Sequence, residues 1–245
     1  MADLSGKRAL VTAASRGIGR GIALRLGAAG ARVAVNYREN AEAAREVVDE
    51  IVRGGGEAFA VRADIGGGRT EVEGLFERVL EEFGGLDILV NNAGVQGMGP
   101  VAEVAEEFLD RAIDVNLKGT FFAFQQAARH LADGGRIVSV STAFTRSMAP
   151  GAGVYAATKG AVEQLTRTLS QELGGRGITV NAVLPGIVET DATAPLRERF
   201  AAIAETTALG RIGRPDDVAG IVAFLAGDEA RWITGQSIAA AGGRV

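Results

Sequence analysis

Short runs of apolar residues alternate along the whole chain with longer stretches in which apolar side chains recur every three or four positions. The short runs are almost continuously apolar, which is typical of strands buried on both faces of a parallel sheet. The predicted strands are residues 8–12, 32–36, 58–62, 86–91, 136–141, 178–183 and 236–240. The predicted helices are residues 19–29, 41–53, 70–83, 106–131, 154–173 and 216–226.

This repeated strand–helix–strand order predicts an α/β fold, a doubly wound and mostly parallel seven-stranded sheet with helices on both faces. A length of 245 residues allows one large α/β domain or two small ones. Because no linker rich in proline and serine and no break in composition divides the chain, we predict a single domain over residues 1–245.

The composition, 47% hydrophobic and 23% charged, is that of a globular protein. No apolar run approaches the roughly eighteen residues that a membrane span needs, and the first residues lack the basic-then-apolar order of a secretory signal. We therefore expect a cytoplasmic protein. The net charge of −4 comes without a basic block, so neither nucleic acid nor a membrane is expected as the main partner.

The chain has no cysteine and one histidine, His130. Disulfides, thiol catalysis and zinc–thiolate sites are excluded, and a histidine-rich metal site or a Ser-His-Asp triad is hard to build. No metal is predicted. His130 falls at the end of a predicted helix, where a cation is stabilised by the helix dipole, and we interpret it as structural.

A glycine-containing turn, TAASRGIG at residues 12–19, follows the first predicted strand and opens the first helix. Glycines at such a turn let the backbone approach a ligand, and the helix N-terminus offers N–H groups to a pyrophosphate. The spacing is not G-x-G-x-x-G, and a Gly-x-Gly turn alone is equally typical of an ordinary tight turn. Its place in the first βα unit of a doubly wound sheet favours a dinucleotide site.

The residues around the second strand bear on which dinucleotide is bound. The end of that strand normally carries an acidic residue in NAD-preferring sites. Here Asn36 is neutral, and Arg16 and Arg38 flank the expected position of a 2′-phosphate. This pattern favours NADP(H), with NAD(H) still possible. The alternative is that both arginines are ordinary surface residues.

Tyr155 and Lys159 lie four residues apart in a predicted helix and would share one face of it. An ordinary tyrosine has a pKa of about 10, and a nearby cation favours its ionised form. The pair is therefore a candidate general acid–base. An isolated Y-x-x-x-K is more often a pair of surface residues, so the neighbouring motifs decide the interpretation.

Further motifs follow in order along the chain: Asp64, NNAG at 91–94, DVNLKG at 114–119, PGIVET at 185–190, and residues 209–218 and 233–236. Together with residues 12–19 and the pair Tyr155 and Lys159, they resemble the classical short-chain dehydrogenase/reductase family over essentially the full length, and most of all its beta-ketoacyl-[acyl-carrier-protein] reductases. The resemblance implies a Rossmann-type fold and hydride transfer between a nicotinamide and a ketone or secondary alcohol. Branches that act on sugars, steroids or polyketide aromatics share the same motifs.

The resemblance assigns catalytic roles to four residues. Tyr155 would protonate the carbonyl oxygen, and Lys159 would hold the nicotinamide ribose and lower the pKa of the tyrosine. Asn116 would anchor a water that links Lys159 to solvent. The family's fourth member, a serine thirteen residues before the tyrosine, corresponds here to Thr142.

Thr142 and Ala13 depart from the family pattern. Threonine keeps the hydroxyl donor but adds a methyl group that restricts χ1. Ser141 is adjacent, although alternation along a strand predicts that its side chain points to the other face. Ala13 replaces a glycine, which is tolerable if its φ is negative and costly if its φ is positive.

The resemblance also implies the cofactor contacts and the substrate site. Substrate contacts are expected from residues 95–100, 144–153 and 191–208, the last within a lid at about 189–211. The implied cofactor-binding residues are Thr12, Ser15, Arg16, Gly17, Ile18, Gly19, Arg38, Asp64, Ile65, Asn91, Ala93, Gly94, Tyr155, Lys159, Pro185, Gly186, Val188 and Thr190.

The leading hypothesis is an NADP(H)-dependent reductase of a small-molecule ketone, such as a 3-oxoacyl thioester. The alternative is a nucleotide-binding regulator or scaffold that has kept the fold and lost turnover, which the changes at Ala13 and Thr142 would allow. By resemblance the chain is expected to form a homotetramer or a homodimer through the two long helices at residues 106–131 and 154–173.

Overall fold

The computed structural model describes residues 2–245 and contains one seven-stranded sheet in which every neighbouring pair of strands is parallel. The order across the sheet is β3-β2-β1-β4-β5-β6-β7. This confirms the predicted doubly wound fold. The strands are β1 (Arg8–Val11), β2 (Arg32–Tyr37), β3 (Glu57–Arg62), β4 (Leu86–Asn91), β5 (Leu131–Val140), β6 (Thr179–Pro185) and β7 (Ser237–Ala240).

Helices cover both faces of the sheet. They are α1 (Gly17–Ala28), α2 (Ala41–Arg53), α3 (Arg69–Phe83), α4 (Glu106–Ala112), α5 (Thr120–His130), α6 (Gly153–Leu173), α7 (Phe200–Glu205) and α8 (Pro215–Ala226). Short 3-10 helices occupy Val101–Glu103, Ala143–Arg146, Gly174–Arg176, Asp191–Arg199 and Asp228–Ala230. Among residues 2–245, no helix combines the length and apolarity that crossing a membrane requires.

Successive residues of a strand pack into two separate hydrophobic cores on opposite faces of the sheet, as a strand buried on both faces requires. Val11 packs in the cluster that includes Ile22 of α1 and Val222 of α8. Leu10, its neighbour in β1, packs instead in the cluster that includes Phe76 of α3 and Phe124 of α5. The near-continuous apolar strands of the sequence therefore have a direct cause in this two-sided burial.

Successive strands are added to one side of β1 up to β3 and to its other side from β4 onward, so β1 lies between β2 and β4. In a doubly wound sheet such a switch point leaves a crevice at the carboxyl ends of the two strands. The two ends are tied together there, because Thr12 donates its backbone N–H to the carbonyl of Val90 at 3.0 Å. The turn at residues 12–19 therefore opens at the crevice where ligands bind in this class of fold.

The long helix predicted over residues 106–131 is wrong in two respects. A π-helical segment, Ile113–Gly119, separates α4 from α5, and α5 ends at His130 because Leu131 already pairs with Leu86 as the start of β5. A π-helical turn holds one more residue than an α-turn, and such turns frequently lie at functional sites. Here the segment carries Asn116.

The predicted lid is a loop whose two ends are fastened to each other. Val188 forms a bridge with Gly213, and the Glu189 N–H donates to the Gly213 carbonyl at 2.9 Å. The loop between them holds the 3-10 segment Asp191–Arg199 and α7. The segment between Glu189 and Gly213 is therefore anchored at one place, where its two ends pair with each other.

Candidate active site

A cavity of about 540 Å³ opens at the carboxyl ends of β1, β4, β5 and β6. The glycine turn, the end of β5, the first turns of α6 and the lid form its walls. The residues predicted from the sequence that line it are Arg16, Gly17, Ile18, Gly19, Gly94, Thr142, Tyr155, Lys159, Pro185, Gly186, Val188 and Thr190. Residues far apart in the chain are thus brought to one place.

Lys159 is buried and directs its ammonium group at the end of β5. Its Nζ donates to the Val140 carbonyl oxygen at 2.8 Å and lies 6.0 Å from the centre of the Tyr155 ring. Burial lowers the pKa of Lys159 to about 8. The ammonium is therefore close to the phenol without contacting its oxygen in this arrangement.

The pKa of Tyr155 shifts in the direction opposite to the sequence-based expectation. Burial raises the pKa of Tyr155 to about 12, and a hydrogen bond from Thr142 offsets this only in part. The expected lowering by Lys159 is wrong for this arrangement, because that ammonium points at Val140. At neutral pH the phenol is protonated, which is the form that a proton donor needs.

Thr142 and Ser141 follow the end of β5 and point in different directions, as the alternation predicted for an extended chain requires. The Thr142 hydroxyl faces Tyr155 and also accepts the Phe144 N–H at 3.3 Å. The Ser141 hydroxyl donates to the buried carboxylate of Glu163 at 2.7 Å. The hydroxyl beside the phenol is therefore that of the threonine.

Asn116 lies behind the cavity and does not line it. Its side chain accepts the Val95 N–H at 2.8 Å and donates to the Val95 carbonyl at 2.9 Å and to Thr158 Oγ1 at 3.0 Å. These bonds join the loop after β4 to the turn of α6 that carries Lys159. The π-helical segment therefore presents an amide that fixes two walls of the cavity relative to each other.

The glycine turn contains a strained residue. Ala13 has φ of 49°, the left-handed region that non-glycine residues rarely adopt. Two asparagines hold it there, since the Ala13 N–H donates to Asn36 Oδ1 at 3.0 Å and Asn92 Nδ2 donates to the Ala13 carbonyl at 3.1 Å. Asn36 is thus buried as a support for the turn.

The same turn has the features of a phosphate cradle. No side chain caps the N-terminus of α1, so the first N–H groups of that helix lack side-chain partners. Gly17 has φ of 55°, and a Cβ at Gly19 would overlap the Ala13 carbonyl oxygen and lie 2.5 Å from Asn92 Nδ2. A pyrophosphate at this helix end would therefore meet free donors and a backbone without obstructing side chains.

Arg16 and Arg38 have different surroundings. Arg16 lines the cavity, whereas Arg38 is exposed and pairs with its neighbour Glu39 at 2.7 Å. Asp64 also lies outside the cavity and forms an ion pair with Arg111 at 3.1 Å. Of the two arginines predicted to bind a 2′-phosphate, only Arg16 belongs to the cavity lining.

The remaining predicted site residues lie outside the cavity lining, and Thr12 among them supports one of its walls. Thr12 Oγ1 accepts the N–H groups of Asn92 and Ala93, both at 2.9 Å. Asn91 is buried, and its amide nitrogen has no hydrogen-bond partner among the described residues. The predicted residues outside the cavity lining are Thr12, Ser15, Arg38, Asp64, Ile65, Asn91, Ala93 and Asn116.

Sequence reasoning missed several residues of the cavity wall. Asn92, whose side chain closes the glycine turn, is next to the predicted Asn91, so only the strand register separates them. Arg244 and Val245 also line the cavity, although they end the chain. No local motif marks them, because only the return of the chain past β7 brings them there.

Comparison with known proteins places the chain in a family. Residues 12–244 match the model of the family described as enoyl-(acyl carrier protein) reductase. A hydroxynaphthalene reductase-like protein of Metarhizium brunneum is 44% identical over 258 residues, which cover 99% of this chain and 96% of that protein. The similarity therefore extends over the whole of both proteins.

Solved structures give the same result. An angucycline C-6 ketoreductase with bound NADP has a TM-score of 0.94 and 47% identity, covering 99% of this chain and 97% of its own. A short-chain dehydrogenase/reductase from Serratia marcescens has a TM-score of 0.94 and 41% identity, covering 98% of both chains. Similarity of this extent in both sequence and fold shows that the chain belongs to the short-chain dehydrogenase/reductase family.

Proposed function

We propose that this protein is an NADP(H)-dependent oxidoreductase that interconverts a ketone and a secondary alcohol. The observation that carries the proposal is the cavity in which the hydroxyls of Thr142 and Tyr155 meet beside Lys159 and the uncapped N-terminus of α1. The similar ketoreductase of known structure binds NADP. Both hydroxyls are donors, and a carbonyl oxygen that gains negative charge is the group they suit.

The cofactor supplies a hydride when it is bound. The side chains of the protein bind the carbonyl oxygen of the substrate and protonate it. Tyr155 donates a proton to that oxygen, since its raised pKa keeps the phenol protonated at neutral pH. Thr142 donates a hydrogen bond to the same oxygen and orients it. Lys159, whose ammonium lies near the phenol ring, holds the ribose, and Asn116 fixes the turn that carries Lys159.

Arg16 is the residue that we assign to the 2′-phosphate of NADP(H). It lines the cavity directly before the first glycine of the turn, and a guanidinium suits phosphate geometry. Exchange of Arg16 for glutamine should raise the KM for NADPH at least tenfold and leave the KM for NADH nearly unchanged. Equal effects on both cofactors would contradict the assignment.

A panel of ketones tests the function, with NADPH oxidation followed by absorbance. We expect reduction of at least one aryl or alkyl ketone and a loss of about a hundredfold or more in kcat for Tyr155→Phe. An enoyl thioester belongs in the panel because the family description names enoyl reduction. Turnover of the enoyl thioester alone would replace ketone reduction with reduction of a carbon–carbon double bond.

The second candidate is a nucleotide-binding regulator without turnover. The strained Ala13 and the threonine at position 142 motivate it, since both depart from the family pattern. Tight NADPH binding by calorimetry without oxidation across the panel would favour this alternative. Protonated Tyr155 and buried Lys159 in one cavity argue for the enzyme, because binding alone has no need of a proton donor.

We also propose that the protein self-associates as a homotetramer or homodimer. An apolar groove between α5 and α6 supports this, with Phe121 exposed beside Phe122 and Leu165. Light scattering coupled to gel filtration tests it, with Phe121→Glu expected to shift the mass toward the monomer. A monomer at micromolar concentration for the unmodified chain would contradict it.

A further inference from the structure

Two arginines line the cavity on the side of the lid and the C-terminus. Arg199 ends the 3-10 segment of the lid, between Leu196 and Ile203, which line the same cavity. These positions are spaced by three and four residues and share one face of the helical segment. The lid therefore presents Arg199 to the cavity, between the aliphatic side chains of Leu196 and Ile203.

Arg244 reaches the cavity because two glycines let the C-terminal segment lie directly against the lid. The Leu209 N–H donates to the Gly242 carbonyl at 3.0 Å. Gly242 and Gly243 have φ of 63° and 81°. A Cβ at Gly242 would lie 2.7 Å from Thr207 Cγ2. Side chains at these two positions would push the segment away and move Arg244 with it.

Neither Arg199 nor Arg244 forms an ion pair with any carboxylate in the described part of the chain. Arg211, also in the lid, differs, since its guanidinium makes a two-pronged contact with Asp217 at 2.6 and 2.7 Å. Both arginines are exposed to solvent at the cavity. Guanidiniums without a carboxylate partner attract an anion, and the aliphatic wall beside them strengthens the attraction by focusing the field.

One acidic side chain, that of Asp191, also lines the cavity. Asp191 lies in the first turn of the segment Asp191–Arg199, where the helix dipole stabilises a negative charge. Its carboxylate is not within ion-pair distance of Arg199 or Arg244. Both guanidiniums therefore keep their donors for a ligand.

We propose that Arg199 and Arg244 form an anion-binding subsite and that the preferred ketones carry a carboxylate or a phosphate group. The inference rests on the proposed ketone reduction and narrows its substrate class. A guanidinium donates two parallel hydrogen bonds to either oxyanion, and such charge-assisted bonds are about twice as strong as neutral ones. The apolar neighbours Leu196 and Ile203 suit the carbon skeleton that joins the anion to the ketone.

The test compares matched ketones with and without the charge. The ratio of kcat/KM for 4-acetylbenzoate to that for its methyl ester should be about tenfold or more in the unmodified enzyme. Arg199→Met and Arg244→Met should each lower this ratio about tenfold, through KM more than kcat. Arg197→Met is the control, because Arg197 is in the same segment and is exposed like Arg199 but does not line the cavity.

A second pair of substrates shows whether the subsite binds a phosphate of a carrier or a carboxylate of the substrate. Acetoacetyl-coenzyme A carries phosphates on its carrier arm, and the acetoacetyl thioester of N-acetylcysteamine does not. Sensitivity of this ratio to Arg199→Met or Arg244→Met assigns the subsite to a phosphate of the carrier. Sensitivity of the benzoate ratio alone assigns it to a carboxylate on the substrate.

Three results bear against the subsite. Ratios that are the same in the unmodified enzyme and both variants would overturn it. A rise in the KM for NADPH without a change in either ratio would instead assign the arginines to the cofactor. Reduction of no ketone at all, the methyl ester included, would remove the proposed function itself, which separates that failure from failure of the subsite.

Discussion

Exchange of Ala13 for glycine should relieve backbone strain at the glycine turn. Ala13 is held at φ of 49° by bonds that involve its own N–H and carbonyl, and both groups remain in glycine. A left-handed conformation costs a non-glycine residue about 1–2 kcal/mol. That cost disappears in the variant, while the hydrogen bonds to Asn36 and Asn92 stay.

Two opposing effects make a control necessary. Glycine adds freedom to the unfolded chain, which costs about 0.4–1 kcal/mol, and the lost methyl costs up to about 0.8 kcal/mol of burial. Ala29 is a matched site, because it is also half-buried against the core but has φ of −87°. Ala29→Gly therefore suffers both losses without any relief of strain.

The comparison isolates the strain. Ala13→Gly should be about 1–2 kcal/mol more stable than Ala29→Gly, which corresponds to about 2–8 °C in Tm for a chain of this length. Differential scanning calorimetry and urea unfolding of both variants measure the difference. Equal losses of stability in the two variants would show that the turn imposes no penalty on Ala13, and the reasoning from its φ would be refuted.

Three further predictions concern the cavity. Thr142→Ala should lower kcat about a hundredfold because it removes a donor to the carbonyl oxygen, whereas Ser141→Ala should keep most activity; the reverse result in steady-state assays would assign the role to Ser141. Gly19→Ala should lower the free energy of unfolding by about 1–3 kcal/mol and weaken NADPH binding, since its methyl would strike the Asn92 amide; an unchanged Tm and Kd would contradict this. The affinity for NADPH should fall as pH rises through about 8, the pKa of Lys159, because the side chain then loses a proton and its positive charge. Calorimetry from pH 6 to 9 should show this decline. The decline should be absent in Lys159→Met.

The sequence determined the fold and the place of the glycine turn. Near-continuous apolar strands such as β1 require burial on both faces, and the helical periodicity between them supplies the covering layers. The order of the strands, with its reversal at β1, was not predicted and comes from the structure. The same local signals placed Gly17, Gly19, Tyr155 and Lys159, all of which line one cavity.

The tertiary structure decided what local patterns do not encode. The direction of the Lys159 ammonium depends on the carbonyl of Val140 at the end of β5. The raised pKa of Tyr155 depends on its burial among segments that are far apart in the chain. The extra residue in the helical turn that carries Asn116 depends on packing against neighbouring elements, so periodicity predicted an unbroken helix there.

Two residues of the site, one in the glycine turn and one in the opposite wall of the cavity, have roles that the sequence pattern did not indicate. Asn36 looked like a neutral replacement in a ribose site, yet its side chain is turned inward to hold Ala13. Arg244 looked like an ordinary terminal residue, yet the path of the chain after β7 brings it to the lid. Sequence patterns report the backbone state and burial of neighbours in the chain. Which side chains share a cavity is decided by long-range packing, because contacts between distant segments leave no period in the sequence.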